Sequence, residues 1–349
     1  MKLIPAPWTI VTGFHRLPSA WRRVRPLLLG ALLTALPTIA APPYKVVQRA
    51  ESLGEGGIDY VTADSAERRL YIPRGNQVLV FDLDTLKPVG AIPEARARGV
   101  AVDPVSHHGF CSSSPVQMWD TRSLKRLKSI PVQGHPDAIL FEPFTQRIYV
   151  LSHATPNVTV LEGKDGSLAG TFDLGGEPEQ AVSDGRGKVF IPLEDKDEIA
   201  VVDAKAMAVT AHHSLGGKGG GPAGLALDPK SRTLFACCRN PAVCVMVGAE
   251  DGAIRGVLPI GQGVDSALFN LASNEAFSSQ RDGTLTVLAR DAAGKFQVAQ
   301  TVATEKGAKT CTLDAKSGRV VLITTAPGSG PAPAGAPAAS LLQILVVGR

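Results

Sequence analysis

Seven positions in this 349-residue chain recur at intervals of 39, 39, 42, 44, 42 and 44 residues: Asp59, Arg98, Asp137, Glu179, Ala223, Asp265 and Lys309. Six of the seven are charged, in a chain where only 19% of residues are Asp, Glu, Lys or Arg. Such a column has two readings. The charges either solvate one surface and pair among themselves, with Arg98 between Asp59 and Asp137, or they form the rim of a site for a small polar ligand, a cation or a peptide. Carboxylates crowded into a partly water-excluded rim raise one another's proton affinity, a frequent property of functional sites. His135, Glu177, Glu194, Asp195, Lys196, Gln280, Arg281 and Asp282 fall in loops near the column in sequence and complete the candidate set.

Other chemistry is poorly supported. His107-His108 and His212-His213 read as surface pairs, leaving His135 as the histidine expected at the rim. Gly216 to Gly221 looks like a phosphate loop, but the strand and helix that would orient its amides are missing. The five cysteines, Cys111, Cys237, Cys238, Cys244 and Cys311, have no zinc or haem spacing. They read mainly as small buried hydrophobes, with Cys237 and Cys244 the one local pair that a hairpin could bring together.

The elements behind the column follow from its period, because self-similarity near 40 residues signals a repeat architecture. Five residues after each column position stands a terminal residue that is acidic in six copies: Asp64, Asp103, Glu142, Asp184, Asp228, Asn270 and Asp314. It ends a short apolar strand and precedes a turn. A second strand follows, such as Arg147-Ile148-Tyr149-Val150, then a third, such as Gln77-Val78-Leu79-Val80-Phe81-Asp82, then a more polar fourth. This predicts an all-β, seven-bladed β-propeller of four-stranded antiparallel blades. The expected inner strands lie near 59–63, 98–102, 137–141, 179–183, 223–227, 265–269 and 309–313.

The chain after Leu341 to Val347 supplies no fourth strand for the last blade, and Tyr44 to Arg49 is the expected substitute, closing the ring from the N-terminal side. The Pro/Gly/Ala-rich segment from Ala326 to Ser340 is expected to be a disordered loop within that blade. One domain is therefore expected over 41–349.

The first 40 residues are different. Lys2, Arg16, Arg22, Arg23 and Arg25 precede an apolar stretch from Leu27 to Leu36 that is shorter than the roughly 20 residues of a membrane span. Small residues at Thr38-Ile39-Ala40 then suit a signal peptidase, so 1–40 is expected to be a signal peptide cleaved near Ala40, with an uncleaved anchor as the alternative. The whole chain has a net charge of +4, but removing five basic and no acidic residues leaves 31 bases against 32 acids. The basicity belongs to the leader, and with it goes the usual inference to nucleic acid.

The blades resemble the YVTN-type repeat of bacterial YncE-like propellers over roughly residues 44 to 349. The resemblance lies in Glu55-Gly56-Gly57-Ile58-Asp59-Tyr60, His135-Pro136-Asp137-Ala138, Glu194 to Ile199, Asp282-Gly283-Thr284-Leu285-Thr286-Val287 and Leu345-Val346-Val347-Gly348-Arg349. It departs at Ile58, where Trp is usual, at Arg239, where His is usual, and at Gly221-Pro222-Ala223, where Glu-Pro-Thr is usual. The resemblance implies a propeller exported to the periplasm or secreted, without a settled enzymatic activity. Single-stranded DNA binding is described for some members. That needs a basic groove with stacking aromatics, whereas this column is net acidic. The expected role is a monomeric binding scaffold that engages a protein or a small polar ligand at the column. Hydrolase or lyase chemistry on a small polar substrate is the alternative; calcium-dependent lactonase-type propellers carry Glu, Asn and Asp at this position. No organic cofactor is expected, and a divalent cation in the central channel is compatible with the residues.

Overall fold

Seven four-stranded antiparallel sheets form in succession in the structure, a computed structural model that describes residues 42–327 and 340–349. Among the described residues every regular element is a strand, and the seven blades stand in a ring as a seven-bladed β-propeller. The inner strands are Thr62–Asp64, Val100–Asp103, Pro136–Glu142, Val182–Ser183, Pro222–Asp228, Val264–Asn270 and Thr310–Asp314. In blades 1, 2 and 4 regular pairing begins later than the repeat suggested. Asp59, Arg98 and Glu179 sit in the approach to the strand, where the neighbouring pairing is reduced to isolated bridges such as Ile58 with Arg74 and Pro178 with Leu193.

The acidic residue that ends each inner strand is explained by the turn it caps. In all seven copies its side chain accepts the backbone N–H of the residue two positions on: Ala66, Val105, Phe144, Arg186, Lys230, Ala272 and Lys316, at 2.8 to 3.2 Å. A short side-chain acceptor at this position is what an Asx-type turn requires. Three of these caps are also gripped from the adjoining blade, Asp314 by Arg68 at 2.7 Å, Asp184 by Arg232 at 2.8 Å and Asp228 by Arg290 at 3.1 Å.

Because successive side chains of a strand point to opposite faces, each blade buries both. Ile148 and Val150 pack toward blade 2, while Tyr149 and Leu151 pack toward blade 4. The core is accordingly divided into seven apolar wedges, one at each junction between blades. All five cysteines are buried and free within these wedges; Cys237 and Cys244 stand directly opposite each other without a bond. His213 is also buried, with Nε2 3.2 Å from the Ala249 carbonyl oxygen, so only His212 of that pair is a surface residue.

The ring closes from the N-terminal side. Lys45–Gly54 pairs antiparallel with Ser340–Gly348 as the outermost strand of blade 7, from Lys45 opposite Gly348 to Gly54 opposite Ser340. This strand is longer than expected, and two anchors hold it. The buried Arg74 guanidinium donates to the carbonyls of Ser52, Gly54 and Ser340 at 2.5 to 2.9 Å. At the other end Tyr44 donates its hydroxyl to Glu275 at 2.6 Å, and Arg349 lies over its ring while pairing with the same carboxylate. The hairpin of blade 7 pairs out to Pro327 with Ser340, so Ala326, Pro327 and Ser340 belong to strands rather than to the expected loop. Residues 328–339 of that loop and the expected signal segment lie outside the described residues.

Candidate functional site at the mouth of the central channel

Short approach segments to the inner strands, and the loops joining second to third strands, converge at one end of the channel. There the charged column becomes a connected chain of ion pairs. Arg98 of blade 2 lies 3.1 Å from both Asp59 of blade 1 and Asp137 of blade 3. Asp59 continues to Lys309 of blade 7 at 3.2 Å, and Lys309 pairs with Asp265 of blade 6. Asp265 pairs with Arg239 of blade 5, which also reaches Glu194 and, at 3.4 Å, Glu179 of blade 4. Blade 5 contributes no charge from its inner strand, where Ala223 is buried. Arg239 reaches in from the next loop instead and takes that place.

By residue type the ring therefore runs acid, base, acid, acid, base, acid, base from blade 1 to blade 7. Alternation fails once, between blades 3 and 4. There Asp137 and Glu179, 7% and 4% exposed, approach each other, and His153 from the loop between the second and third strands of blade 3 stands beside them. The His153 Nε2 lies 3.8 Å from Asp137 Oδ2 and 3.1 Å from the Pro178 carbonyl oxygen. Across the channel, Tyr60 donates its hydroxyl to Glu179 at 2.9 Å and forms the floor of the rim. Below Tyr60 the channel is a cavity of about 540 Å³ lined largely by Val61, Ala63, Val102, Leu140, Leu268 and Leu313.

Electrostatics follow from this placement. Burial, and then the hydrogen bond with Glu194, push the Glu179 carboxyl up to about 9, so it keeps its proton at neutral pH. Glu194 moves the opposite way: the Glu179 hydrogen bond and Arg239 outweigh its burial and hold it below the ordinary range. Asp137 is raised by burial and then by Asp59. The Tyr60 phenol is driven well above its usual range by burial and by Glu179.

Of the sequence candidates, Asp59, Arg98, Asp137, Glu179, Glu194, Asp265 and Lys309 are joined in this ring. The remaining seven are not. Gln280 is fully buried inside blade 6, bonded to Ser278 and Thr284. Asp195 and Asp282 brace their own loops by accepting the N–H groups of Glu177 and Gln262. Lys196 pairs only with Asp195, and His135, Glu177 and Arg281 point outward as exposed side chains.

Three ring residues escaped the repeat column: Arg239, His153 and Tyr60. Arg239 and His153 lie in loops whose position relative to the channel no strand pattern reports. Tyr60 did leave a signal, since the same place in the other six copies holds Gly99, Ala138, Gln180, Gly224, Ser266 and Thr310, all smaller or more polar. One bulky ring among narrow neighbours marks a side chain that crosses the channel.

No protein-family model and no curated protein matches the sequence. Solved structures do share the architecture. A chain of the mitotic checkpoint complex superposes with a TM-score of 0.71 at 12% identity, over 93% of this chain and 98% of that one. U3-55K gives 0.65 at 10% identity over 84% and 98%, and the WD40 repeats of RRP9 give 0.64 at 11% identity over 84% and 97%. At these identities the likeness is one of fold: this chain is a β-propeller of the kind built by WD40 repeats.

Proposed function

We propose that this protein is an exported, YncE-like binding propeller that engages a positively charged partner or small polar ligand at the rim of its channel. The observation that carries the reading is the composition of the ring. With Glu179 protonated, Asp59, Asp137, Glu194 and Asp265 still outnumber Arg98, Arg239 and Lys309 by four to three, and all three cations are already paired. A ligand entering the rim meets unspent acceptors held in place on seven rigid blades, in a setting where desolvation strengthens each contact. Propeller chains in multi-protein assemblies, such as the one in the mitotic checkpoint complex, fit the same use of the fold. Export and removal of residues 1–40 form part of this reading, supported by the basic and apolar leader.

Fluorescence polarisation with a pool of labelled nonapeptides containing Lys and Arg, set against a neutral pool, tests the rim. The Asp59→Asn/Asp265→Asn double variant is expected to lose the selective signal, while His135→Ala retains it. Equal signals from both pools, or an unaffected double variant, overturn the cationic-ligand reading.

A second reading has one observation in its favour. Glu179 with Glu194 is a protonated and an ionised carboxyl side by side, the pairing that general acid and base work requires. Hydrolysis of a small polar substrate at this pair would be abolished by Glu179→Gln with binding intact.

A further inference from the structure

A ring of seven acidic and basic residues cannot alternate all the way round. With an odd number of members at least one junction must bring like residue types together, and in this chain it is the junction of Asp137 and Glu179 between blades 3 and 4. Every other neighbouring pair in the ring is opposite in sign and in contact. We propose that this junction is a binding site for one divalent transition-metal cation of the zinc class, held by Asp137, His153 and Glu179. The proposal rests on the rim being the working face, and it replaces the general positive ligand with a specific one.

Three observations support it. His153, Asp137 and Glu179 each present a ligand atom within 4.8 Å of the other two, so closing by about 1 to 1.5 Å brings all three to the roughly 2 Å bonds of a zinc centre. The far oxygen of each carboxylate is already oriented by an arginine. Asp137 Oδ1 is held by Arg98 at 3.1 Å and Glu179 Oε1 by Arg239 at 3.4 Å, while Asp137 Oδ2 faces His153 at 3.8 Å and Glu179 Oε2 accepts the Tyr60 hydroxyl at 2.9 Å, a bond that a metal must replace. Outer partners of this type fix the angle at which first ligands meet a metal. Finally, the Asp137 side chain is buried, yet it accepts no hydrogen bond from any described residue; its contacts are the ionic one with Arg98 and the longer one with His153. A largely buried carboxylate whose Oδ2 has only the 3.8 Å contact with His153 keeps capacity for a cation.

The donor set decides the class of ion. Calcium and magnesium take six or more oxygens, which one imidazole and two carboxylates do not supply. An imidazole with two carboxylates suits zinc and its neighbours, and three protein ligands leave a fourth position open to water or ligand. His153 must swing Nε2 away from the Pro178 carbonyl oxygen to bind.

The test is calorimetric titration of the full mature protein, freed of metal by dialysis against EDTA, with zinc chloride and separately with calcium chloride. One zinc ion per chain is expected, bound at least tenfold more tightly than calcium. His153→Ala and Asp137→Asn should each weaken zinc binding by at least tenfold, judged against variants whose strand circular dichroism matches wild type. His135→Ala, at an exposed histidine outside the ring, should bind as wild type does. Cobalt(II) substitution should give visible ligand-field bands in wild type that vanish in His153→Ala. Zinc bound equally well by His153→Ala, or binding that does not distinguish zinc from calcium, overturns the site. Because the peptide assay uses Asp59 and Asp265 and the metal titration uses Asp137 and His153, failure of either leaves the other result readable.

Discussion

The two ends of the inner strands carry the same residue types and use them in opposite ways. At the turn end, Asp314 is buried and accepts the Lys316 N–H, and Arg68, followed by Ser317 and Ser65, holds its carboxyl far below the usual range despite its burial. Asp228 is lowered by its own turn and by Arg290. At the rim end, Glu179 and Asp137 are similarly hidden from solvent but set deeper among protein atoms, and burial raises them. The difference lies in that depth and in the donors each acid meets. Turn-end carboxylates each meet backbone N–H groups and in several cases a whole guanidinium, whereas rim carboxylates share three cations among five. The first arrangement holds blades together, and the second leaves the rim acids with fewer partners than acceptor oxygens.

The largest effect should come from breaking the turn end. Asp314→Ala leaves the Arg68 guanidinium with the exposed Asp84 and a long bond to the Ser65 carbonyl oxygen, frees the turn, and should lower unfolding free energy by about 3 kcal/mol in urea titrations. Asp137→Asn at the rim, equally buried, should change it by under about 1 kcal/mol at pH 7, since no hydrogen bond to its carboxylate is lost. Equal losses in the two variants would erase the contrast.

That contrast also marks what the sequence could and could not show. The turn-end acids were legible because each acts within its own repeat: an acceptor two residues before the N–H it caps leaves a periodic trace at Asp64, Asp103 and the rest. Six of the seven ring positions were legible for the same reason. Arg239 and His153 were not, because their contacts cross from one blade to another through loops of unequal length. Gln280 was misplaced because a strand's last residue can turn to either face. Ring closure by Lys45–Gly54 was readable from a missing strand, but its clamp by Arg74 was not, since nothing local asks for a buried arginine there.

A medium-sized effect separates the ends by pH. An acid whose folded value is raised holds a proton that the unfolded chain releases, so the contribution of Glu179 is lost as pH climbs from about 4.5 toward 9. A lowered acid such as Asp314 gives stability that is complete above about 4 and disappears as pH falls. Melting temperatures followed across pH should show Glu179→Gln flattening only the fall between about pH 4.5 and 9 and Asp314→Asn only the loss below about pH 4. A single variant altering both sides would contradict the assignment.

The smallest effect concerns the boundary between the ends. Tyr60→Phe removes the hydroxyl that meets Glu179 and should cost about 1 kcal/mol, detectable as a shift in urea midpoint. Below that floor the walls are apolar, and burial pushes the Cys311 thiol up to about 11. Cys311 should resist alkylation by iodoacetamide at pH 8 until urea opens the ring, as followed by intact mass; rapid labelling of the native protein would show the channel wall to be breached.

Closure of blade 7 sets an order on folding. The pairing of Lys45 with Gly348 joins residues about 300 apart, so the loop entropy of closing the circle falls on the final contact rather than on an early one. Six blades can assemble from local hairpins as the chain emerges, whereas the seventh must wait for both of its ends. A chain interrupted before Ser340 would present an unpaired outer edge to its neighbours, and the same strand from another copy could fill it.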